Sequence, residues 1–240
     1  MTLPPGFRRV ALEEVGSTNT EALRLAEEGA PEFTLVTARR QSAGRGRRGK
    51  TFDSPAGNLF ASIVLRPNRP YAVVSQLSFV AAIAVGDLLD RLEIRGTVGF
   101  KWPNDVQVDG AKISGILLEG GVGHLVAGIG VNLAHHPPGM PYPTTSVLAK
   151  GGKTDIDEAT AILAEAFLER YRRWLADGFE PIREAWLARA MGLGREVRVT
   201  VREGRTDTGI FSALDETGAL VLTQNGTTRK ITAGEIFFAA

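Results

Sequence analysis

Residues 97–131, TVGFKWPNDVQVDGAKISGILLEGGVGHLVAGIGV, decide the fold. They predict four short strands, Thr97–Trp102, Val106–Val108, Lys112–Glu119 and His124–Val131, separated by a proline turn, an Asp-Gly turn and a glycine-rich turn. This spacing suits an antiparallel meander better than parallel βαβ units, which need long crossover connections. The stretch therefore predicts a largely antiparallel sheet.

The flanking sequence adds helices and further strands. Thr18-Asn19-Thr20-Glu21 fits a capping box that opens a helix. Ser75–Leu92 is apolar on nearly all sides, which predicts a buried helix, and Asp155–Ala176 has the apolar spacing of a long amphipathic helix. Strands are also expected at Phe33–Ala38 and Asn58–Leu65. The predicted fold class is α+β, a mixed and largely antiparallel sheet with helices packed on it.

The composition changes at Gly192-Leu193-Gly194. Short alternating segments follow, such as Val197, Val199 and Val201, and turns such as Asn225-Gly226 separate them. We therefore expect a larger domain over residues 1–191 and a small β-barrel over residues 192–240.

Composition excludes several classes of protein. The 240 residues carry 28 basic and 27 acidic side chains, a net charge of +1, which gives no global attraction to nucleic acid or anionic membranes. With no cysteine there are no disulfides, thiolate metal sites or cysteinyl intermediates. The N-terminus lacks the apolar core of a signal peptide, and the longest apolar run, Phe79–Val85, is too short to span a bilayer. A soluble cytoplasmic protein is expected, with no membrane partner.

The strongest functional signal is Gly44–Lys50, GRGRRGK. Residues 39–50 hold six basic side chains and no acid. Glycines let a ligand approach the backbone, and arginines bind carboxylate or phosphate with two hydrogen bonds. The letters also fit G-x-G-x-x-G, but Thr51–Pro55 cannot open the helix that a dinucleotide fold needs. A solvated loop or an RNA-binding segment remains an alternative for this stretch taken alone.

Three further motifs combine polar side chains with glycines at strand ends. Lys101–Asp105 offers a cation, an amide and a carboxylate, although a simple turn is an alternative there. Gly115 within Lys112–Glu119 and the two glycines of Gly128–Asn132 indicate close backbone approach by a ligand. The adjacent His135 and His136 point to opposite faces of an extended segment, which does not favour a metal site.

Together these motifs resemble the biotin protein ligases. The matching pieces follow the order of that family: Ser17-Thr18-Asn19, Gln41, Gly44–Lys50, Lys101–Asp105, Lys112–Gly115 and Gly128–Asn132. The resemblance implies a catalytic sheet akin to class II aminoacyl-tRNA synthetases and an SH3-like C-terminal barrel. It also implies two reactions. The carboxylate of biotin attacks the α-phosphate of ATP to give biotinyl-5′-AMP and diphosphate, and a lysine of a biotin carboxyl carrier domain then attacks this anhydride.

The resemblance also implies roles for individual residues. Ser17, Thr18, Asn19 and Gln41 would meet the ureido group of biotin, and Gly44, Arg45, Gly46 and Arg47 belong to a loop that closes over the ligand. Asn104, Asp105 and Asn132 would lie on the adenylate side, with Phe52 near the adenine and Gly115 and Ile116 as sheet backbone. The expected catalytic residues are Arg47, Lys101, Lys112 and Asp105. Asp105 is either a Mg²⁺ ligand or the base for the second step.

The resemblance further suggests the partners. The expected protein substrate is the carrier protein of acetyl-CoA carboxylase or a related carboxylase. No winged helix-turn-helix fits before Ser17, so a ligase without a DNA-binding domain is expected, and the family favours a homodimer formed by pairing sheets. Two alternatives stay open: a lipoate ligase or octanoyl transferase, and a non-enzymatic RNA-binding protein.

Overall fold

The first sheet contains seven strands in the order β1-β2-β3-β7-β6-β5-β4. The structure is a computed structural model that describes residues 2–201 and 205–238. The strands are β1 Arg8–Val15, β2 Thr34–Gln41, β3 Leu59–Leu65, β4 Val98–Lys101, β5 Asp105–Val108, β6 Ala111–Gly121 and β7 His124–Val131.

The predicted meander is confirmed, and it forms one half of this sheet. Strands β4, β5, β6 and β7 pair antiparallel in sequence, and β7 then pairs with β3. Only β1 and β2 run parallel among the described strands. The outer edge of β4 is covered, because Phe100 N donates to Arg189 O at 2.8 Å and Met191 N donates to Phe100 O at 2.9 Å.

Helices lie on both faces of the sheet. Helix α1 Thr18–Glu27 packs on one face against Val36, Val64 and Val126. The other face is covered by the remaining helices, α2 Tyr71–Val74, α3 Leu77–Arg91, α4 Ile156–Asp177 and α5 Glu180–Leu187. Helix α3 packs against α4 and α5 and over several strands, so its apolar surface is used on nearly all sides, as predicted. The stretch Ala72–Arg91 is long and apolar enough to cross a membrane, yet 78% of its most apolar window is buried inside the protein.

The predicted capping box at Thr18 is wrong. Ser17 is the residue before the first turn of α1, and no side chain caps that end of the helix. The hydroxyl of Thr18 instead donates to Gln41 Oε1 at 3.0 Å, and Glu21 pairs with Arg24. The hydroxyl of Thr18 is therefore turned toward β2 rather than toward the backbone of α1.

The C-terminal sheet has five antiparallel strands in the order β11-β10-β9-β8-β12. They are β8 Glu196–Thr200, β9 Thr206–Leu214, β10 Leu220–Gln224, β11 Thr227–Ile231 and β12 Glu235–Phe238. Strand β8 pairs with both β9 and β12, and alternate residues such as Val197 and Val199 are buried. This is the small β-unit that the alternating pattern predicted, and its five antiparallel strands agree with the SH3-like barrel that the resemblance implied.

The turn between β9 and β10 joins the two sheets. The indole Nε1 of Trp102 donates to Gly218 O at 3.1 Å in a buried contact. Burial acts to raise the pKa of Asp215 in this turn, but hydrogen bonds from Thr217, Lys230 and Ala219 outweigh it and lower that pKa to about 2. The Asp215 carboxylate therefore stays ionised and holds the turn that receives Trp102.

Gly218 provides a test of this junction. Its φ is +88°, and a Cβ at this position would lie 2.6 Å from the ring of Phe79. We expect Gly218→Ala to lower the free energy of unfolding by about 1–3 kcal/mol more than Gly226→Ala does. Gly226 is a matched control, since its φ is +76° and nothing lies within 4 Å of the added Cβ. Urea unfolding measures both variants, and equal losses would contradict the contact with Phe79.

Candidate active site

A cavity of about 510 Å³ lies where the two sheets and several loops meet. Its lining includes fifteen of the sixteen residues that the sequence predicted for the site: Ser17, Thr18, Asn19, Gln41, Arg45, Gly46, Arg47, Phe52, Lys101, Asn104, Asp105, Lys112, Gly115, Ile116 and Asn132. Gly44 is the exception. A Cβ there would lie 2.4 Å from both Phe52 O and Ser54 Oγ, so Gly44 allows the loop to fold tightly behind the lining.

One end of the cavity is a network of neutral polar groups. Thr18 N and Thr18 Oγ1 donate to Gln41 Oε1 at 2.7 and 3.0 Å, and Gln41 Nε2 donates to Ser54 Oγ at 2.9 Å. Ser62 Oγ lies 2.8 Å from Thr18 Oγ1 and 2.7 Å from Asn19 Oδ1. Because each group is fixed by the next, this end of the cavity has a defined pattern of donors and acceptors.

Asn19 reaches this network only because residue 128 is glycine. Ser62 and Gly128 lie opposite each other on β3 and β7, and a Cβ on Gly128 would lie 2.0 Å from Asn19 Oδ1. Asn19 Nδ2 donates to Glu119 Oε2 at 2.9 Å and, more weakly, to Leu117 O at 3.3 Å. Asn19 thus links the first turn of α1 to β3 and β6.

Two glycines leave a bare patch of sheet backbone beneath the middle of the cavity. Gly115 and Gly130 lie opposite each other on β6 and β7. The ring of Phe52 occupies the space above them, since an added Cβ would lie 3.3 Å from that ring at Gly115 and 2.5 Å from it at Gly130. The same ring meets Phe60 edge-on at 6.4 Å between centroids. The glycines were predicted to allow close approach, and here they admit an aromatic ring.

The basic loop folds as a small hairpin over the cavity. Gly46 N donates to Lys50 O at 2.7 Å, and Phe52 N donates to Gly44 O at 2.9 Å. A single 3₁₀ turn, Arg47–Gly49, forms its tip, with Arg48 at a φ of 57°. This arrangement directs Arg45 toward β6 and Lys50 toward β12.

The loop cations bond to polar side chains of the protein. Arg45 forms an ion pair with Glu119, and Lys50 forms one with Glu235 at 2.9 Å. Arg47 Nη1 donates to Asn104 Oδ1 at 3.1 Å. An anionic substrate would therefore replace or join these partners when it binds under the loop.

Lys112 and Asp105 form the innermost ion pair of the cavity. Lys112 Nζ lies 2.7 Å from Asp105 Oδ1, and both side chains are less than one fifth exposed. Lys112 Nζ also lies 5.7 Å from the centre of the Tyr142 ring. The pair places a cation and a carboxylate together at the junction of β5 and β6.

Lys101 is the most buried cation of the site. Only 9% of its surface is exposed, and its ammonium lies 5.4 Å from the centre of the Phe237 ring on the C-terminal sheet. Burial lowers the pKa of Lys101, while the charges of Asp105 and Glu235 oppose that shift. For Glu235, burial acts to raise the pKa, and the hydrogen bond from Lys50 and the nearby charges of Lys101 and Lys112 lower it overall.

The donor set fits Mg²⁺ only together with a polyphosphate. No group of three His, Asp or Glu side chains that could hold a metal occurs within residues 2–201 and 205–238. Mg²⁺ is commonly bound by one or two carboxylates and substrate phosphates. The cavity lining offers the carboxylates of Asp53, Asp105 and Glu235, and Asp105 is the one that pairs with Lys112, beside the cations that would meet phosphates. Asn104 is fixed next to it, since Asn104 Nδ2 donates to Ile116 O at 2.7 Å.

Two parts of the lining were not predicted as site residues. The first is the connection after β7, of which Pro137, Met140, Pro141, Tyr142 and Thr144 line the cavity. Asn132 holds this connection through a 3.0 Å bond from Nδ2 to Thr145 O. Its proline and glycine content indicated a loop, and no signal in the sequence placed it over the cavity.

The second unpredicted part comes from the C-terminal sheet, where Gly234 and Glu235 reach the cavity. Nothing in the local sequence distinguishes these two residues from the start of an ordinary strand. They reach the cavity only because the two sheets pack together.

Comparison with known proteins agrees with this geometry. Residues 12–134 match the Biotin/lipoate A/B protein ligase family, and residues 192–239 match the Biotin protein ligase C terminal domain. The chain is 42% identical over 244 residues to the biotin–[acetyl-CoA-carboxylase] ligase of Paracoccus denitrificans, covering 95% of this chain and 99% of that protein. It is 35% identical over 233 residues to the bifunctional ligase/repressor BirA of Bacillus subtilis (strain 168), covering 92% of this chain and 71% of that protein.

A solved structure shares the fold closely. The biotin protein ligase from Aquifex aeolicus, in complex with biotin and ATP, superposes with a TM-score of 0.84 at 28% identity, covering 96% of this chain and 97% of that one. The cavity and its cations also suit anionic ligands.

The chain belongs to the biotin/lipoate A/B protein ligase family and, within it, to the biotin protein ligases. Its activity is ATP-dependent activation of biotin and transfer of biotin to a protein. The resemblance seen in the sequence is confirmed.

Gly128 allows a test of the polar end of the cavity. We expect Gly128→Ala to push Asn19 out of its network and to weaken biotin binding roughly tenfold or more, because a rigid Cβ cannot share that space. Gly123→Ala in the β6–β7 turn is the control, since nothing lies within 4 Å of its added Cβ. Calorimetric titration with biotin measures both variants. Unchanged affinity in a folded Gly128→Ala protein would show that Asn19 is not needed for binding.

Proposed function

We propose that biotin lies with its ureido ring in the neutral polar end of the cavity and its carboxylate under the basic loop. The single observation that supports this most strongly is the order of groups along one cavity. Thr18, Asn19 and Gln41 stand at one end, and the cations stand in the middle. A ureido group needs fixed donors and acceptors without net charge, whereas a carboxylate needs cations.

The first reaction brings two anions together. The carboxylate oxygen of biotin forms a bond to the α-phosphorus of ATP, and the bond to the diphosphate leaving group breaks. Fixed cations lower this barrier if they meet the charge that develops on the phosphate and the leaving group. We assign Arg47, Lys101 and Lys112 to that task. Lys101 suits it because burial removes the water that would otherwise screen its charge.

The adenylate side of the cavity is assigned to Asn104, Asp105 and Asn132. We propose that ATP is used with Mg²⁺, that Asp105 holds the ion together with the phosphates, and that the ion screens their charge. Asp105 would hold the ion, and Lys112 would meet the phosphate. Phe52 lies above the glycines next to this region, so its ring must share that space with the bound nucleotide or move from it.

The second reaction needs a neutral amine. A free lysine side chain has a pKa near ~10.4, so only about one in ~2,500 is neutral at pH 7. The amine of the carrier lysine attacks the acyl carbon, the bond from that carbon to the phosphate oxygen breaks, and AMP leaves. We propose Asp105 as the acceptor of the amine proton, as the alternative to its role as metal ligand. The proposed carrier is the biotin carboxyl carrier protein of acetyl-CoA carboxylase or of a related carboxylase.

We further propose how the chain is organised in the cell. Residues 1–191 form the catalytic domain and residues 192–240 form the barrel, in a cytoplasmic ligase without a DNA or membrane partner. A homodimer formed by pairing sheets is also proposed. The position of β1 at the end of the sheet supports it, whereas the outer edge of β4, the strand at the other end, is covered by Arg189 and Met191. Analytical ultracentrifugation tests the oligomeric state.

Transfer of labelled biotin to a carrier domain in the presence of ATP tests the function directly. Titration with biotin and with lipoate in parallel separates this enzyme from a lipoate ligase. Binding of lipoate without binding of biotin would overturn the proposal.

Two variants separate the roles of the cations. We expect Lys112→Ala to lower biotin-dependent exchange of diphosphate into ATP roughly 100-fold, since a fixed cation is lost where charge develops.

We expect Arg47→Ala to lower retention of biotinyl-5′-AMP, because the loop loses its bond to Asn104. Exchange and transfer are assayed separately. Arg39→Ala is the control, because its side chain is 73% exposed. Wild-type behaviour of both active-site variants would refute these assignments.

A further inference from the structure

Glu119 contacts the polar end of the cavity but is not one of the residues that line it. Its Oε2 accepts a hydrogen bond from Asn19 Nδ2 at 2.9 Å, and its Oε1 pairs with Arg45 of the basic loop. The Glu119 side chain is 28% exposed, whereas Asn19 is 4% exposed. One carboxylate therefore joins a buried residue of the polar end to the loop that folds over the cavity.

The strand β6 places Glu119 just beyond the end of the cavity. Residues two apart on a strand share a face, so Glu119 lies on the same face of β6 as Gly115 and Leu117. Gly115 lies under the middle of the cavity, and Leu117 is opposite Gly128. Glu119 is the next residue in this row and is opposite Val126, which packs with helix α1. Its carboxylate thus reaches the first turn of that helix.

The contact with Glu119 determines which way the amide of Asn19 points. An ionised carboxylate accepts hydrogen bonds and donates none, so the amide nitrogen of Asn19 faces Glu119. Leu117 O accepts from the same nitrogen at 3.3 Å and requires the same orientation. The amide oxygen then faces Ser62 Oγ, 2.7 Å away, and the bare backbone of Gly128. Glu119 therefore fixes an acceptor, rather than a donor, on the side of Asn19 that faces the network.

These contacts complete a path of hydrogen bonds that begins and ends next to the basic loop. Gln41 Nε2 donates to Ser54 Oγ at 2.9 Å, and Ser54 Oγ donates to Phe52 O at 2.8 Å, just after the loop. The rest of the path connects Arg45, Glu119, Asn19, Ser62, Thr18 and Gln41 in that order. The groups of the polar end thus hold the loop from both sides, and we call this series the Arg45–Ser54 path.

The other ion pair of the loop is built differently. Lys50 pairs at 2.9 Å with Glu235, which belongs to the C-terminal sheet. Neither residue is a member of the Arg45–Ser54 path. The two ion pairs therefore allow the stability of the closed loop to be separated from its coupling to the polar end.

We propose that Glu119 is a positioning residue that orients the amide of Asn19 and fastens Arg45, so that binding of biotin and closure of the basic loop favour each other. This inference rests on the proposed place of the ureido ring in the polar end of the cavity. A ligand bonded to that end fixes the members of the path, and Glu119 passes this order to the loop. Such coupling is reciprocal: biotin stabilises the closed loop by the same factor by which the closed loop raises the affinity for biotin.

Trypsin measures closure of the loop independently of the reaction, because Gly44–Lys50 contains four arginine or lysine residues. We expect saturating biotin to slow cleavage within the loop of wild type roughly tenfold. In Glu119→Gln, which loses the charge that holds Arg45, this slowing should fall to about twofold. In Glu235→Gln, which releases Lys50 and leaves the path intact, cleavage should be faster with and without biotin, and biotin should still slow it by the wild-type factor.

Calorimetric titration with biotin separates the two contacts of Glu119. We expect Glu119→Gln to weaken biotin binding about fivefold, and Arg45→Ala to weaken it to the same extent. The double variant should lose no more than either single variant, because both remove one ion pair. Glu119→Ala also removes the acceptor for Asn19 and should weaken binding roughly tenfold further. Glu165→Gln, which removes an exposed ion pair with Arg91, is the matched control and should bind biotin like wild type.

The outcomes separate this inference from the proposed function. If wild type does not bind biotin, the proposed function of the cavity fails. If wild type binds biotin and its loop is cleaved no more slowly, the coupling is refuted. If folded Glu119→Gln keeps the wild-type slowing factor, the coupling role of Glu119 is refuted, whether or not its affinity for biotin falls. Circular dichroism reports folding, and the near-isosteric Glu119→Gln decides the question if Glu119→Ala does not fold.

Discussion

The site depends on one feature of the sheet, the antiparallel pairing of β6 with β7 at positions without side chains. Gly115 faces Gly130 across that pair, and Gly128 lies two residues before Gly130 on β7. Side chains at these positions would fill the middle of the cavity and displace Asn19 and Phe52. The register of the hairpin therefore sets the volume of the cavity, and a shift by one residue would replace glycines by Ile116, Ile129 or Val131.

A second feature is that the basic side chains over the cavity are neutralised within the protein. Arg45, Lys50 and Lys112 each pair with a carboxylate, on Glu119, Glu235 and Asp105. Of these three cations Lys112 is the largely buried one, and a desolvated cation without a partner would be strongly destabilising, so its pair with Asp105 stabilises the empty site. When substrate anions enter, the cations change partners instead of losing water, which reduces reorganisation during the reaction.

The parts of the structure that local patterns determine were predicted from the sequence. The meander, α3 and α4 follow from turn residues and from apolar spacing, and the C-terminal strands follow from alternation. Strand β1 was missed because its sequence, RRVALEEV, is an edge strand with mostly exposed or half-exposed residues. The capping box was wrong because Thr18 bonds to Gln41, a residue 23 positions away, which no local rule takes into account.

Part of the candidate site was likewise predicted from the sequence, and part was not. Motifs with charged residues and glycines were visible in the sequence, and fifteen of those sixteen residues do line one cavity. Glu235 and the connection after β7 were not visible, because they reach the cavity only through the packing of the two sheets and through the path of the loop.

The bond between Lys50 and Glu235 joins the loop over the cavity to the first residue of β12. Glu235 is also the last of the cavity-lining residues along the chain. On the ribosome, polypeptides emerge from the N-terminus onward, so the first sheet can form while β12 is still unmade. The anchor for the basic loop is then supplied only after the whole first sheet has been made, so the ligand-binding surface is completed when the C-terminal sheet folds against it.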